Sequence, residues 1–447
     1  MTRNSPDFQI LKFVITLFLG WKIIITLIAF FGVSFLPTQL PGEEFRMAGM
    51  AVDFWGKWAN WDGGHFRGIA ENGYLPYQVV FFPFYPLLIK ALMFIGIHSL
   101  WGGLLVSNLS IIGALFYLYK LVNLDFEEKV SKRVIFLTLA FPTAFYFNAV
   151  YSESLFLFLT VTAFYYARTK KWLISLLIAS LSAVTRLTGL VVILAVALEY
   201  FLSTTELPSV KQFWSEFLNR IASYLLLLAF LIGILHRSFV DYELYLLAGL
   251  SAALAVFLTL VSIILLSVFF FKFTIRYIEF KKFLRKPILA LLLAFIPFFV
   301  YCLSLYYSQD NFLAFVAQEK RWERDLSLPW SAPINYVRHL VEVGVFEVGK
   351  PALGLLELIF FVFFVVIFGF SYLKLRLSYT VFFALSLLIP ITTGTLQAVH
   401  RYGLVIFPVF ILLALIKNEM LQQLWIFFSL TLLGILTVMF INGYWVS

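Results

Sequence analysis

The run Trp61-Asp62-Gly63-Gly64-His65-Phe66 sets a carboxylate beside an imidazole, just after Trp55 and Trp58. Those two indoles are three residues apart, so on a helix they share a face. Indoles favour the lipid–water boundary. The pattern predicts an amphipathic helix over about 45–60 lying in that boundary. It would hand the chain to a glycine turn with positive φ, which carries Asp62. A carboxylate placed there can take the proton of an attacking hydroxyl. The plainer alternative is an Asp that only caps the following helix. His65 reads as a structural neighbour or hydrogen-bond donor. The chain has 5 histidines, none spaced H-x-x-H or H-x-x-x-H, so no metal ligand set is specified. A divalent cation is compatible with the carboxylates, and no cofactor is called for.

Other residues could join Asp62. In Asn148-Ala149-Val150-Tyr151-Ser152-Glu153-Ser154, Glu153 is either a first-turn acid behind a Ser152 cap or a second carboxylate facing Asp62. Arg186, in Thr185-Arg186-Leu187-Thr188-Gly189, needs an anion at such depth. A phosphate fits the guanidinium fork, and a buried pair with Glu153 or Glu199 is the alternative. The run Gln318-Glu319-Lys320-Arg321-Trp322-Glu323-Arg324-Asp325 offers Lys320, Arg321 and Arg324 to phosphate and Trp322 to a sugar face. Mixed charge of that kind also reads as a solvated, salt-bridged helix. His400-Arg401-Tyr402 offers a further cation, for phosphate or carboxylate, or as an interfacial anchor. An anionic lipid-phosphate leaving group, a sugar ring and a hydroxyl nucleophile would need such a set.

The elements that must position these groups are membrane spans. The chain has 447 residues, 62% hydrophobic and only 13% charged, with a mean hydropathy of +0.94. Soluble domains are about 25% charged. That contrast excludes a soluble enzyme, a disordered chain, a disulfide scaffold and a nucleic-acid-binding module. Cys302 is the sole cysteine, so no intramolecular disulfide can form. Apolar runs long enough to span fall at 10–33, 100–119, 134–148, 154–167, 172–185, 188–203, 221–236, 244–271, 288–307, 352–373, 378–394, 402–416 and 424–443. The first reads as an uncleaved helix. The stretch 84–98, broken by Pro83 and Pro86, reads as a partly embedded helix. The expectation is an all-α polytopic bundle of about 11–13 spans, one domain over 1–447, with long loops at 34–99 and 308–351. With the N-terminus in the cytoplasm, most of the 33 Lys and Arg residues fall in inner loops. Both long loops and the candidate site are then extracytoplasmic. The +9 net charge follows from topology and anionic lipid contact and needs no nucleic-acid partner.

The ordered motifs resemble the PIG-V-like mannosyltransferases, relatives of the enzyme that adds the second mannose in GPI-anchor assembly. The resemblance runs through Trp61-Asp62-Gly63-Gly64-His65-Phe66, Ile69-Ala70, Gly73-Tyr74 and Phe81-Phe82-Pro83-Phe84-Tyr85-Pro86. It continues through Tyr151-Ser152-Glu153-Ser154, Thr185-Arg186-Leu187-Thr188-Gly189, and Gln318 with Trp322 and Arg324. Pro329-Trp330, Arg401-Tyr402 and Phe407-Pro408 complete it. Leu187 stands where the family usually has Pro, and Glu323 where it has Gly. The resemblance implies a GT-C fold and an inverting transfer of a sugar, usually mannose. The donor would be a polyprenyl-phosphate-linked sugar and the acceptor a lipid or glycan hydroxyl. It maps the family's loop acid onto Asp62, with Glu153 as the second acid. Trp61, His65, Arg186, Gln318, Arg321, Trp322, Arg324, His400, Arg401 and Tyr402 are then the substrate-binding candidates. The competing class is a transporter or lipid flippase, which would use the same buried charges along a pathway. No inverted repeat or pair of broken helices of the transporter kind is visible in the sequence.

Overall fold

The structure is a computed structural model that describes residues 5–38, 53–204, 287–322, 324–343 and 350–446, with the isolated positions 232 and 254. The expected spans 221–236 and 244–271 lie outside the described residues. Contacts divide the chain into one unit of 1–199 with 289–447 and another of 200–288. Every contact and cavity below belongs to the first. The described residues are helical and include no strand.

Helix α1, Pro6–Gly32, starts where the sequence supplies a cap. The Ser5 hydroxyl accepts from the Phe8 N–H at 3.3 Å, Pro6 occupies the first turn, and Asp7 lies beside the N-terminal dipole end. Val14, Phe18, Trp21, Ile25 and Ala29 form its buried stripe. The opposite face, with Leu19, Ile23, Ile24, Leu27, Phe30 and Phe31, is apolar and exposed. A helix apolar on both faces suits a lipid surround. Ser99–Val122, Gly354–Lys374 and Glu419–Ile441 are likewise long and apolar enough to cross a membrane. These four helices mark the chain as a membrane protein.

Shorter helices fill the space between them. In chain order they are α2 (Asp62–Asn72), α3 (Phe84–Phe94), then the long α4 (Ser99–Val122), α5 (Glu128–Leu139), α6 (Glu153–Arg168), α7 (Trp172–Ala183) and α8 (Gly189–Thr204). After the undescribed stretch come α9 (Pro287–Ala294), α10 (Ile296–Gln309), α11 (Ala314–Gln318), α12 (Ser331–Val343) and α13 (Lys350–Lys374). The chain closes with α14 (Leu377–Ile391), α15 (Val399–Gly403), α16 (Pro408–Ala414) and α17 (Glu419–Ile441). The α4–α6 pair is the most extensive packing, and α1 lies along α17.

Three expected spans are not continuous helices. Over 134–148, α5 stops at Leu139 and a 3-10 turn follows at Ala144–Asn148. Pro142 withholds a donor and pushes Phe141 out of the helical region. Residues 141–150 are all buried, so protein rather than lipid satisfies that broken backbone. Over 288–307, Pro297 starts a new helix after Phe295. Over 402–416, α15 and α16 replace a span, with Pro408 opening the second. The partly embedded helix expected over 84–98 is α3.

Among the described residues, Lys22, Arg168 and the buried Glu199 lie outside the site and each has polar partners. Lys22, midway along α1, donates to the amide oxygen of Asn108 at 2.6 Å and to that of Asn148. At the end of α6, Arg168 holds Asp125, at 2.7 Å through its second nitrogen, and donates to the Tyr379 hydroxyl at 3.0 Å. Glu199 accepts from Arg376 at 2.8 Å and from Ser378 at 2.5 Å.

Candidate functional site

Asp62 is delivered differently from the expectation. The part of 45–60 that is described is not an amphipathic helix: Gly56–Ala59 is a 3-10 turn, and 45–52 lie outside the described residues. The chain reverses at Trp61, whose φ is 57°, and α2 begins at Asp62. Gly63 and Gly64 sit in its first turn, so the strained conformation falls on the indole-bearing residue instead of on glycine. Three hydrogen bonds and a ring contact over-determine it. Asn60 donates from its amide to the Phe440 carbonyl at 3.0 Å. The Tyr151 hydroxyl donates to the Asn60 carbonyl at 3.0 Å. The Trp61 indole donates to the Tyr444 carbonyl at 3.3 Å, and its ring meets Trp445 edge to face with centroids 4.8 Å apart.

From Asp62 a chain of charges runs inward. Arg401 donates to Asp62 Oδ2 at 2.6 Å. The Arg401 Nε lies 3.7 Å from Glu153 Oε1, and Arg186 donates to that same oxygen at 2.6 Å. Arg186 also reaches the Ser152 hydroxyl at 3.3 Å. The Glu153 side chain is 1% exposed, and its Oε2 is buried with no hydrogen-bond partner. Arg401 therefore stands between the two acids. Glu153, expected either as a first-turn acid or as a second carboxylate facing Asp62, opens α6, lines the same cavity as Asp62 and is the counter-charge to two arginines. The pair of Arg186 with Glu153 is the structural alternative weighed for that arginine, while Glu199 is engaged with Arg376. The Tyr402 ring gathers three guanidinium groups, from Arg186, Arg324 and Arg401, at 5.5, 5.7 and 5.7 Å, each within cation–π reach.

Burial alone would raise the Asp62 pKa. The charge and hydrogen bond of Arg401, with His65 and Arg324 nearby, outweigh it and hold the carboxyl below its ordinary value. Glu319 goes the other way. Burial raises its pKa, the Asp62 charge adds to the rise, and Arg324, 3.5 Å away, only partly offsets it. Burial lowers the His65 pKa, against the pull of Asp62. Its Nδ1 lies 3.3 Å from the Gln78 amide, and the ring stacks on Phe81 at 4.6 Å.

These groups line one cavity of about 1600 Å³. Trp61, Asp62, His65, Glu153, Arg186, Arg321, Trp322, Arg324, Arg401 and Tyr402 all reach it. Gln318 and His400 are not among its lining residues. Gln318 ends the short helix α11. His400 is buried, with its Nε2 2.6 Å from the Val446 carbonyl, and its backbone carbonyl accepts from the Thr143 hydroxyl at 3.1 Å. Arg321 is exposed and sits over the Tyr77 ring at 4.5 Å. The indole N–H of Trp322, the Nε of Arg324 and the hydroxyl of Thr188 are buried without partners beside the cavity. Orphaned donors of this kind call for a polar ligand.

Several lining residues had not been singled out as candidates: Glu319, Tyr151, Tyr444 and Trp445. Glu319 sits in a mixed-charge run that looks solvated from sequence, and only the fold half-buries it at the cavity. Tyr444-Trp445 carried an interfacial aromatic signal that, without partners, points nowhere. The apolar wall was legible only as part of a span. Leu432, Ile435, Leu436 and Met439 recur at helical spacing on α17 and face the cavity. Among the described residues, no group of three or more His, Cys, Asp or Glu side chains could hold a metal ion. Compared with family models, with curated proteins and with solved structures, the chain matches none of them.

Proposed function

We propose that this chain transfers a sugar, mannose in the first instance, from a polyprenyl-phosphate donor to a hydroxyl of a lipid or glycan. The observation that carries the reading is the composition of the cavity. Asp62, half-buried and paired with Arg401, shares the cavity with Arg186 and Arg324, with orphaned donors and with the apolar stripe of α17. A ligand with a hydrocarbon tail, an anionic head and a polyol ring matches those three surfaces. The ordered motif resemblance to PIG-V-like mannosyltransferases, of GT-C type, supports the same substrate class. The extracytoplasmic placement of the cavity belongs to this proposal.

The chemistry follows from the charges. Asp62 Oδ2 is occupied by Arg401, while Oδ1 has no hydrogen-bond partner among the described residues and can meet an acceptor hydroxyl. The acceptor oxygen forms a bond to the anomeric carbon. The bond from that carbon to the phosphate oxygen breaks with its electron pair, through an oxocarbenium-like state. The hydroxyl proton passes to Asp62, and configuration inverts. A carboxylate with a depressed pKa is a weak base, which suffices when the proton moves late, after bond formation has acidified the hydroxyl. Arg401, Arg186 and Arg324 face charge that appears on the phosphate. One well-placed electrostatic partner is worth about 2.7–4 kcal/mol by analogy with oxyanion donors. Trp322 offers a ring face and a free N–H to the sugar.

The test is transfer by the purified protein in detergent, from polyprenyl-phosphate mannose to a panel of lipid and glycan acceptors, beside Asp62→Asn. Transfer that vanishes in the variant is the expected result. Neither transfer nor donor hydrolysis with any polyprenyl-phosphate sugar would overturn the reading.

A further inference from the structure

Glu357 lies on α13 and does not line the cavity. It is 6% exposed, yet both of its oxygens are used. Oε1 accepts from the Ala398 N–H at 2.9 Å, and Oε2 accepts from the Tyr336 hydroxyl at 2.8 Å. Tyr336, on the loop helix α12, accepts in turn from Thr395 at 3.0 Å, and Thr395 accepts from the Gln397 N–H at 3.1 Å. With the Tyr336 proton on Glu357, the donors from Gln397 through Thr395 and Tyr336 point one way, the arrangement in which hydrogen bonds reinforce each other, and the Ala398 N–H meets them at Glu357 from the other side.

Ala398 is the position these bonds hold. Its φ is 66°, in the left-handed region that a non-glycine residue enters at a cost. It is also the cap of α15: its carbonyl accepts from the N–H groups of both Arg401 and Tyr402 at 2.9 Å. Arg401, which reaches Asp62, thus sits in the turn that Ala398 caps. We propose that Glu357 is a positioning residue, holding Ala398 left-handed and thereby aiming Arg401 at Asp62. Through Tyr336 it ties the loop helix α12 to the reacting centre. This inference rests on the proposed function for its consequence in turnover, but its structural content is testable without it.

The experiment uses the full chain in nanodiscs with Glu357→Leu, Glu357→Gln and Tyr336→Phe. The first readout is the titration of the Asp62 carboxyl by infrared difference spectroscopy, identified against Asp62→Asn. The groups facing Asp62 are Arg401, His65, Arg324, Tyr151 and Glu319, and of these only Arg401 hangs directly on Ala398. The second readout is the pH profile of transfer from polyprenyl-phosphate mannose. In Glu357→Leu the Asp62 titration should move up by about one unit or more as Arg401 withdraws. Transfer should fall about 100-fold, as for a misplacement of about 1 Å. Glu357→Gln, which can accept from Ala398 and donate to Tyr336, should behave as the wild type, and Tyr336→Phe should fall between. An unmoved Asp62 titration in a folded Glu357→Leu, or a Gln variant as damaged as the Leu variant, overturns the inference. If the Leu variant does not fold, Tyr336→Phe decides in the same way. A shifted titration in a protein whose wild type transfers no sugar keeps the inference and sinks the functional reading. Normal transfer with an unshifted titration does the reverse.

Discussion

Arg401 neutralises Asp62, shares Glu153 with Arg186, and packs among the rings of Tyr146, Tyr151 and Tyr402. Removing it leaves two buried carboxylates with less counter-charge than they need. Breaking a buried pair in this way costs about 3–5 kcal/mol. Arg401→Leu is expected to lower the unfolding midpoint in bicelles accordingly, and a loss below about 1 kcal/mol, the value of a surface pair, would contradict the buried geometry. Arg401→Lys should keep most of the stability and lose turnover, because a point charge cannot span Asp62 and Glu153. The pH dependence has a definite sign. The folded pKa of Asp62 is depressed, so its stabilising contribution is complete above the ordinary carboxyl value of 3.8 and is lost as the pH falls through the lower, folded value. Activity that needs ionised Asp62 should therefore persist down to that same acid limit. Glu319, raised above its ordinary 4.5, should add a second inflection at higher pH. Glu319→Gln is expected to delete that inflection and leave the acid limit in place.

At the scale of elements, the tight joint between α7 and α8 carries Arg186. A Cβ built on Gly189 would fall 2.0 Å from the Ser182 carbonyl oxygen, a backbone atom that cannot step aside alone. Gly189→Ala should cost about 3 kcal/mol or more, at the upper end of overpacking, and pull Arg186 from Glu153. Gly369 is the control. It lies within α13 with nothing inside 4 Å of its would-be Cβ, so Gly369→Ala should be neutral or stabilising by about 0.5–1 kcal/mol. Thermal melts of the two variants check both statements. The same elements show what could be read from the chain. The buried stripe of α1 and the apolar faces of α4, α13 and α17 follow from composition and period. The discontinuities at Pro142 and Pro297 were signalled by the prolines themselves, yet the apolar runs around them outweighed that signal. Their cost is met by burial, which a one-dimensional pattern cannot display. Asp62, Arg401 and Arg186 were visible as isolated charges. That Arg401 separates Asp62 from Glu153 was not, because Asp62 and Arg401 are 339 positions apart in the chain and no local rule ties them. Glu357 falls within the apolar run 352–373, where no local rule names its partners.

At the scale of the whole molecule, the sided distribution of charge makes the last prediction. Lys120, Lys129, Lys132 and Arg133 flank the α4–α5 turn. The loop that carries Glu319, Trp322 and Arg324 mixes both signs. Basic short loops stay on the cytoplasmic side, so the two regions should lie across the membrane from each other. Cys302, the only cysteine, can be replaced by alanine to give a blank background. Leu124 is 43% exposed in the turn after α4, and Leu326 is 89% exposed at the rim of the cavity. A membrane-impermeant maleimide added to intact cells should label Leu326→Cys at once. It should label Leu124→Cys only after the membrane is opened. The reverse pattern would place the cavity on the cytoplasmic side, where water-soluble nucleotide sugars are at hand. A donor carried by a lipid phosphate would then have no advantage there. The apolar stripe of α17 would need another occupant, and the substrate class proposed for this cavity would have to change even if Asp62 remained its base.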